Sequence, residues 1–138
     1  MMAFLSRNRD AGLLFLRIAL GVFFLWAHGW QKLAGGTETW LKLGGAMKHV
    51  GITFWPTFWG FLATMAESVG IVLFIIGFAF RPACILLAIT MGIAGLHMWE
   101  LQKTFAGALK EASQAWELGI VFLALIFIGA GKYSVDRE

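Results

Sequence analysis

Apolar residues along this chain fall into four long blocks separated by short polar or glycine-rich breaks. The clearest block is Trp59–Phe80, WGFLATMAESVGIVLFIIGFAF, whose single ionisable group is Glu67. A run of about 20 apolar residues, rising 1.5 Å each, crosses the hydrocarbon layer of a bilayer. The same pattern predicts spans over about 11–33, 57–80, 83–101 and 115–130. Asp10 is placed to cap the first span, and Gly35-Gly36 to end it. Pro56 opens the second span, and Arg81-Pro82 makes a very short turn into the third. Between spans one and two, Trp40, Leu43, Met47 and Val50 recur at helical spacing, with Lys42 and His49 on another face. That pattern predicts a short interfacial helix, weakened by Gly44-Gly45. Residues 102–114 are expected to be a polar connection. The expected fold is all-α: an integral membrane, up-down-up-down four-helix bundle occupying 1–138 as one domain.

The seven tryptophans agree with this layout. Trp26, Trp30, Trp40, Trp55, Trp59, Trp99 and Trp116 would all lie near the face that carries the two longer connections. The indole ring favours the headgroup level because it is apolar with one polar N–H. Basic residues do not set the orientation. Arg7, Arg9, Arg81, Lys132 and Arg137 are balanced by Lys32, Lys42, Lys48, Lys103 and Lys110 on the other face.

Composition strengthens the membrane reading. Hydrophobic residues make up 59% of the chain and charged residues 14%, against about 25% charged in soluble domains. The net charge of +3 points to anionic lipid headgroups, and the absence of a basic-aromatic platform argues against nucleic acid. The lone Cys84 excludes an internal disulfide, a CxxC pair and a thiolate cluster. No cleavable signal peptide is expected.

The candidate chemistry lies in the few polar groups inside the spans. A carboxylate at the bilayer centre costs about 2.5–3.5 kcal/mol on insertion scales, so Glu67 has to face a partner or a polar cavity. Arg17, Gly21, Phe24, His28 and Gln31/Lys32 share one helix face. Gly60, Thr64, Glu67 and Ile71 share another, and Thr90, Ile93 and His97 a third, with Glu100 one turn beyond. Depth estimates allow an Arg17–Glu67 ion pair, which serves either function or bundle register. His28, His97 and Glu117 are expected to converge with Glu67 in a pocket on the tryptophan side. In this reading Glu67, His97, Glu117 and Arg17 are candidate catalytic residues. His28, His97 and Lys32 are candidate cofactor contacts, and no metal site is expected. The plainer alternatives are interface hydrogen bonding for the histidines, a dipole contact for Glu117 and close helix packing for the glycines.

Taken in order, Arg17-x3-Gly21…Phe24…Gly29-x2-Lys32, Glu67-x2-Gly70…Gly77 and Gly129-Ala130-Gly131…Ser134-Val135-Asp136 resemble the DoxX family. Members often have Gly-Pro-Gly where this chain has Gly129-Ala130-Gly131, and Leu at the position of Val135. The resemblance implies a bacterial inner-membrane four-helix bundle with both termini cytoplasmic. It also implies a link to quinone-coupled oxidoreductase chemistry.

Three function classes follow. The first is a quinone-interacting membrane subunit with a polar pocket opening to the periplasmic side; a b-type haem held by His28 and His97 is its sharper variant. No flavin fingerprint or cysteine cluster is present, so electrons would come from a protein partner or a noncovalent cofactor. The second is a small-molecule or ion transporter or channel, which with four spans would need to form a homo-oligomer. The third is a structural assembly subunit whose charges serve packing alone.

Overall fold

The computed structural model describes residues 2–137 and is all-helical, with no strand among them. A short helix α1 (Met2–Arg7) leads into α2 (Arg9–Ala34). Helix α3 (Gly36–Gly44) continues as a 3₁₀ segment (Gly45–Val50). Three long helices follow: α4 (Pro56–Ile76), α5 (Phe80–Leu101) and α6 (Phe105–Ile128). Helices α2, α4, α5 and α6 are each long and apolar enough to cross a membrane.

The core draws one aromatic ring from each long helix. Phe74 of α4 stacks on Phe80 of α5 at 5.2 Å and meets Phe122 of α6 edge-on at 5.4 Å, while Phe24 of α2 meets Phe122 at 5.8 Å. Ile71, Leu87, Met91 and Leu125 fill the spaces between them. The opposite faces carry exposed Phe15, Phe23, Trp26, Val72, Ile89, Leu123 and Phe127. Such an apolar exterior suits lipid and would be a liability in water.

Three helix boundaries differ from the sequence-based expectation by three residues or more. Helix α4 stops at Ile76, because Gly77 takes a left-handed conformation (φ 71°) and its N–H and that of Phe78 both return to the Leu73 carbonyl. Helix α5 starts at Phe80, two residues before Pro82; a proline fits there because first-turn N–H groups have no helical partner. Helix α6 starts ten residues before the expected Ala115. Thr104 caps it by accepting a hydrogen bond from the Gly107 N–H at 3.1 Å. The polar residues of AGALKEASQ are mostly good helix formers, so their polarity marks an exposed helical turn and not a loop.

Glycines set how closely the helices approach. A Cβ on Gly60 would overlap the Trp40 carbonyl, and one on Gly44 the Pro56 carbonyl. Helix α3 therefore packs backbone to backbone on the first turns of α4. Gly21 lies against Ile75, and a Cβ on Gly29 would sit 2.6 Å from the Glu67 carbonyl oxygen. These two contacts fix the register of α2 on α4: residue numbers rise along one helix as they fall along the other.

The chain ends by folding back over the α4–α5 turn. Val135 and Asp136 donate their N–H groups to the Ile76 and Gly77 carbonyls at 3.2 and 2.9 Å. The Asp136 carboxylate accepts from the Ala79 and Phe80 N–H groups at 3.2 and 2.9 Å, capping α5. Asp10 accepts from the Lys132 N–H at 3.1 Å. The terminal motif singled out in the sequence is thus a clasp that joins both ends of the chain to one end of the bundle.

Candidate functional site

Arg17 and Glu67 are both buried, at 2% and 1% exposure, but they do not meet. In the observed register Gly29 stands opposite Glu67, twelve residues or about 18 Å of helix beyond Arg17. The expected pair fails because the depth estimates placed the two residues too close along the bundle axis. Arg17 instead donates from Nε and Nη2 to the Ile75 carbonyl at 3.2 and 2.9 Å, and from Nη1 to the Ala130 carbonyl at 2.8 Å. It satisfies carbonyls at the end of α4 and just beyond α6, which have no helical donor. All its partners are backbone, so Arg17 belongs to the clasp.

The counter-ion of Glu67 is Lys32. The Lys32 Nζ lies 2.6 Å from Oε1 and 2.5 Å from Oε2 of the carboxylate. Lys32 is the last basic residue on the inward face of α2, and the Trp40 indole donates to its carbonyl at 3.2 Å, tying the end of α2 to α3. The hydroxyls next to Glu67 do not serve it. Thr64 donates to the Gly60 carbonyl at 2.9 Å and Ser68 to the Thr64 carbonyl at 2.5 Å.

Two local departures from α-helix frame this pair. Leu25–Gly29 in α2 and Ala66–Gly70 in α4 are π-helical turns, and they touch through Gly29 and the Glu67 backbone. Such single turns accommodate one extra residue and re-aim the side chains beyond them, and they recur at functional sites. Here they carry His28 and Glu67, the ionisable residues of α2 and α4 that line the cavity with Lys32.

That cavity has a volume of about 590 Å³. Its walls are mostly apolar: Leu43, Ala46 and Met47 from the α3 segment, Trp59, Leu62 and Ala63 from α4, and Leu86, Ile89, Met91 and Ile93 from α5. Its polar lining is His28, Lys32, Thr39, Lys42, Glu67, Thr90, His97, Glu111 and Gln114. Trp59 adds a buried indole N–H with no hydrogen-bond partner among the described residues. A buried donor left unpaired is costly.

Of the residues expected here, His28, Lys32, Glu67 and His97 line the cavity. Glu117 does not. It is exposed, in the middle of a helix that begins at Phe105, while Glu111, Gln114, Ala115 and Leu118 of the same helix take the lining positions. The early start of α6 removes the helix-start reading of Glu117, and its outward face removes the pocket reading. The α3 segment packs on α4 and walls the cavity with Leu43 and Met47.

His49 is the residue that sequence reasoning passed over. Its Nε2 lies 3.3 Å from Nδ1 of His97, and its Nδ1 lies 2.9 Å from Oε1 of Glu100. The available signal was the placement of His49 off the apolar face of its segment. Nothing in the spacing linked it to a helix 48 residues away. Among the described residues, no group of three or more His, Cys, Asp or Glu side chains is arranged to hold a metal ion.

Four long apolar helices around a partly polar cavity with an ion pair define a multi-pass helical membrane protein with an internal cavity. The chain belongs to the DoxX family, whose model matches residues 12–99. The match takes in the faces of α2 and α4 that carry Lys32 and Glu67. It stops before α6 and the terminal clasp. No curated protein and no solved structure matches the chain.

Proposed function

We propose that this protein is a quinone-binding subunit of a membrane oxidoreductase and that the cavity between α2, α4 and α5 receives the quinone head. The carrying observation is the composition of the cavity: apolar walls, one buried Lys32–Glu67 pair, two histidines and an unpaired Trp59 indole N–H. A quinone ring is a flat apolar body with two carbonyl acceptors, and its reduction consumes protons at those oxygens. The volume falls within the range of small-molecule sites, which combine apolar walls with a few placed polar groups.

In this reading the Trp59 indole and Lys32 are donors to quinone oxygens. Glu67, His28 and His97 hold or move protons at the ring. Arg17 has a supporting role away from the ring, and Glu117 has none. The electrons come from a protein partner or a noncovalent cofactor, since the chain carries no cysteine cluster. The four long helices form an up-down-up-down bundle in the bacterial inner membrane. Both termini are cytoplasmic and the cavity opens to the periplasmic side, with the α3 segment at that interface.

The test is titration of the purified protein in lipid nanodiscs with decylubiquinone, read by quenching of tryptophan fluorescence. Saturable quenching that weakens about tenfold or more in Trp59→Phe and Glu67→Gln, with both variants folded, is the expected result. Linear, unsaturable quenching would sink the quinone reading. A Soret band in the purified protein, lost in His97→Ala, would instead assign a b-type haem to the same cavity. Loss of fold in Glu67→Gln would favour an assembly subunit.

A further inference from the structure

The Glu100, His49 and His97 side chains form a continuous chain from the surface to the cavity, and it joins two separate elements. Glu100, in the last turn of α5, is 60% exposed, while the His49 side chain on the 3₁₀ segment is only 4% exposed. His97, one turn before Glu100 on α5, lines the cavity. The contacts are carboxylate to imidazole at 2.9 Å and imidazole to imidazole at 3.3 Å. Both are within reach of a shared proton. The His97 Nδ1 faces His49, leaving its Nε2 for a group in the cavity. The other charged group near His97 is Lys48, the neighbour of His49 in sequence.

We infer that Glu100, His49 and His97 are a proton relay between the aqueous surface and the cavity. The inference rests on the quinone reading for what receives the proton, and on geometry alone for the path. In the inward direction a proton on the Glu100 carboxyl passes to His49 Nδ1. The His49 Nε2 proton passes to His97 Nδ1, and the His97 Nε2 proton passes to a quinone oxygen. Each transfer breaks one N–H or O–H bond and forms one, and the opposite tautomers carry a proton outward. Full reduction, Q + 2e⁻ + 2H⁺ → QH₂, takes its electrons from a separate reductant. The exposed carboxylate at one end and the cavity at the other are what a purely structural imidazole pair would not need.

Two measurements on the full chain in nanodiscs test this. The first needs no quinone: ring ¹⁵N spectra of histidine-labelled protein, wild type against Glu100→Gln. Glu100 lies at the surface, so this variant should fold. The relay requires that it move the ring signals of both His49 and His97, and a shift confined to His49 overturns it. The second is reduction of bound decylubiquinone by dithionite. His49→Ala should bind quinone within about twofold of wild type and reduce it about a hundredfold more slowly, with imidazole in the buffer restoring the rate. An unchanged rate, or a slow rate that imidazole does not restore, overturns the relay. If wild type binds no quinone, the functional reading fails, and the spectra still decide the relay.

Discussion

The protein turns two cationic groups inward on the same face of α2, about 22 Å apart along the helix, and uses them differently. Arg17, at the end near the termini, spends its guanidinium on the carbonyls of Ile75 and Ala130. Lys32, at the far end, meets the carboxylate of Glu67 beside a cavity and keeps 21% exposure. Chemistry explains the division. Guanidinium is planar with several fixed donors and suits carbonyls that converge from two helix ends. An ammonium is compact and rotatable, and turns to a carboxylate at the cavity wall. The first site is closed by backbone and holds the fold together. The second faces the cavity.

Substitutions can break this contrast. The largest effect is expected for Lys32→Met, which strands the Glu67 carboxylate at 1% exposure. Breaking a buried pair in this way costs about 3–5 kcal/mol. It should appear as a large loss of thermal stability in detergent. Adding Glu67→Gln to Lys32→Met should recover most of that loss while leaving quinone binding abolished, which a double-mutant cycle would measure. If the double variant is no more stable than Lys32→Met alone, the pair is not the unit proposed here.

Arg17→Met is expected to come next. It leaves the carbonyls of Ile75 and Ala130 without their donor, at about 1–3 kcal/mol for each buried group. Its signature is lowered stability with unchanged quinone affinity in the protein that remains folded. A selective loss of affinity would move Arg17 from the clasp into the site. Glu67→Gln alone should destabilise less than Lys32→Met, by about 1 kcal/mol, because the freed ammonium can turn towards water and the carboxylate cannot. Equal costs for the two single variants would remove that asymmetry.

The smallest effect is predicted for Ala79→Gly. Ala79 holds a left-handed conformation (φ 46°) in the turn between α4 and α5. A residue with a Cβ costs about 1–2 kcal/mol there, so glycine should raise the unfolding midpoint modestly. A fall would show that the Asp136 contact on its N–H needs the alanine.

The inward faces of the helices were legible from spacing. Arg17, Gly21 and Phe24 on α2, and Gly60, Thr64, Glu67 and Ile71 on α4, are all buried, as their helical period implied. The terminal Gly129–Asp136 motif was visible as a pattern, while its role as a clasp was not. Its partners Ile76, Gly77, Ala79 and Phe80 lie more than 50 residues earlier in the chain. Glu117 shows the converse error: its level suits the cavity, which its neighbours Ala115 and Leu118 line, but it lies on the exposed face of its helix.

The sequence by itself determined that the protein has four apolar helices long enough to cross a bilayer, which groups those helices turn inward, and that Glu67 needs a partner. These follow from local period and from the cost of charge in an apolar medium, and each is a property of one segment. Only the tertiary structure decided that the partner is Lys32 and not Arg17, that two π-helical turns bring His28 and Glu67 to one cavity, and that His49 joins His97 to the surface. Those outcomes depend on the axial register between helices. Glycine contacts such as Gly29 on the Glu67 backbone set that register, and a single turn of slip would exchange one partner for another.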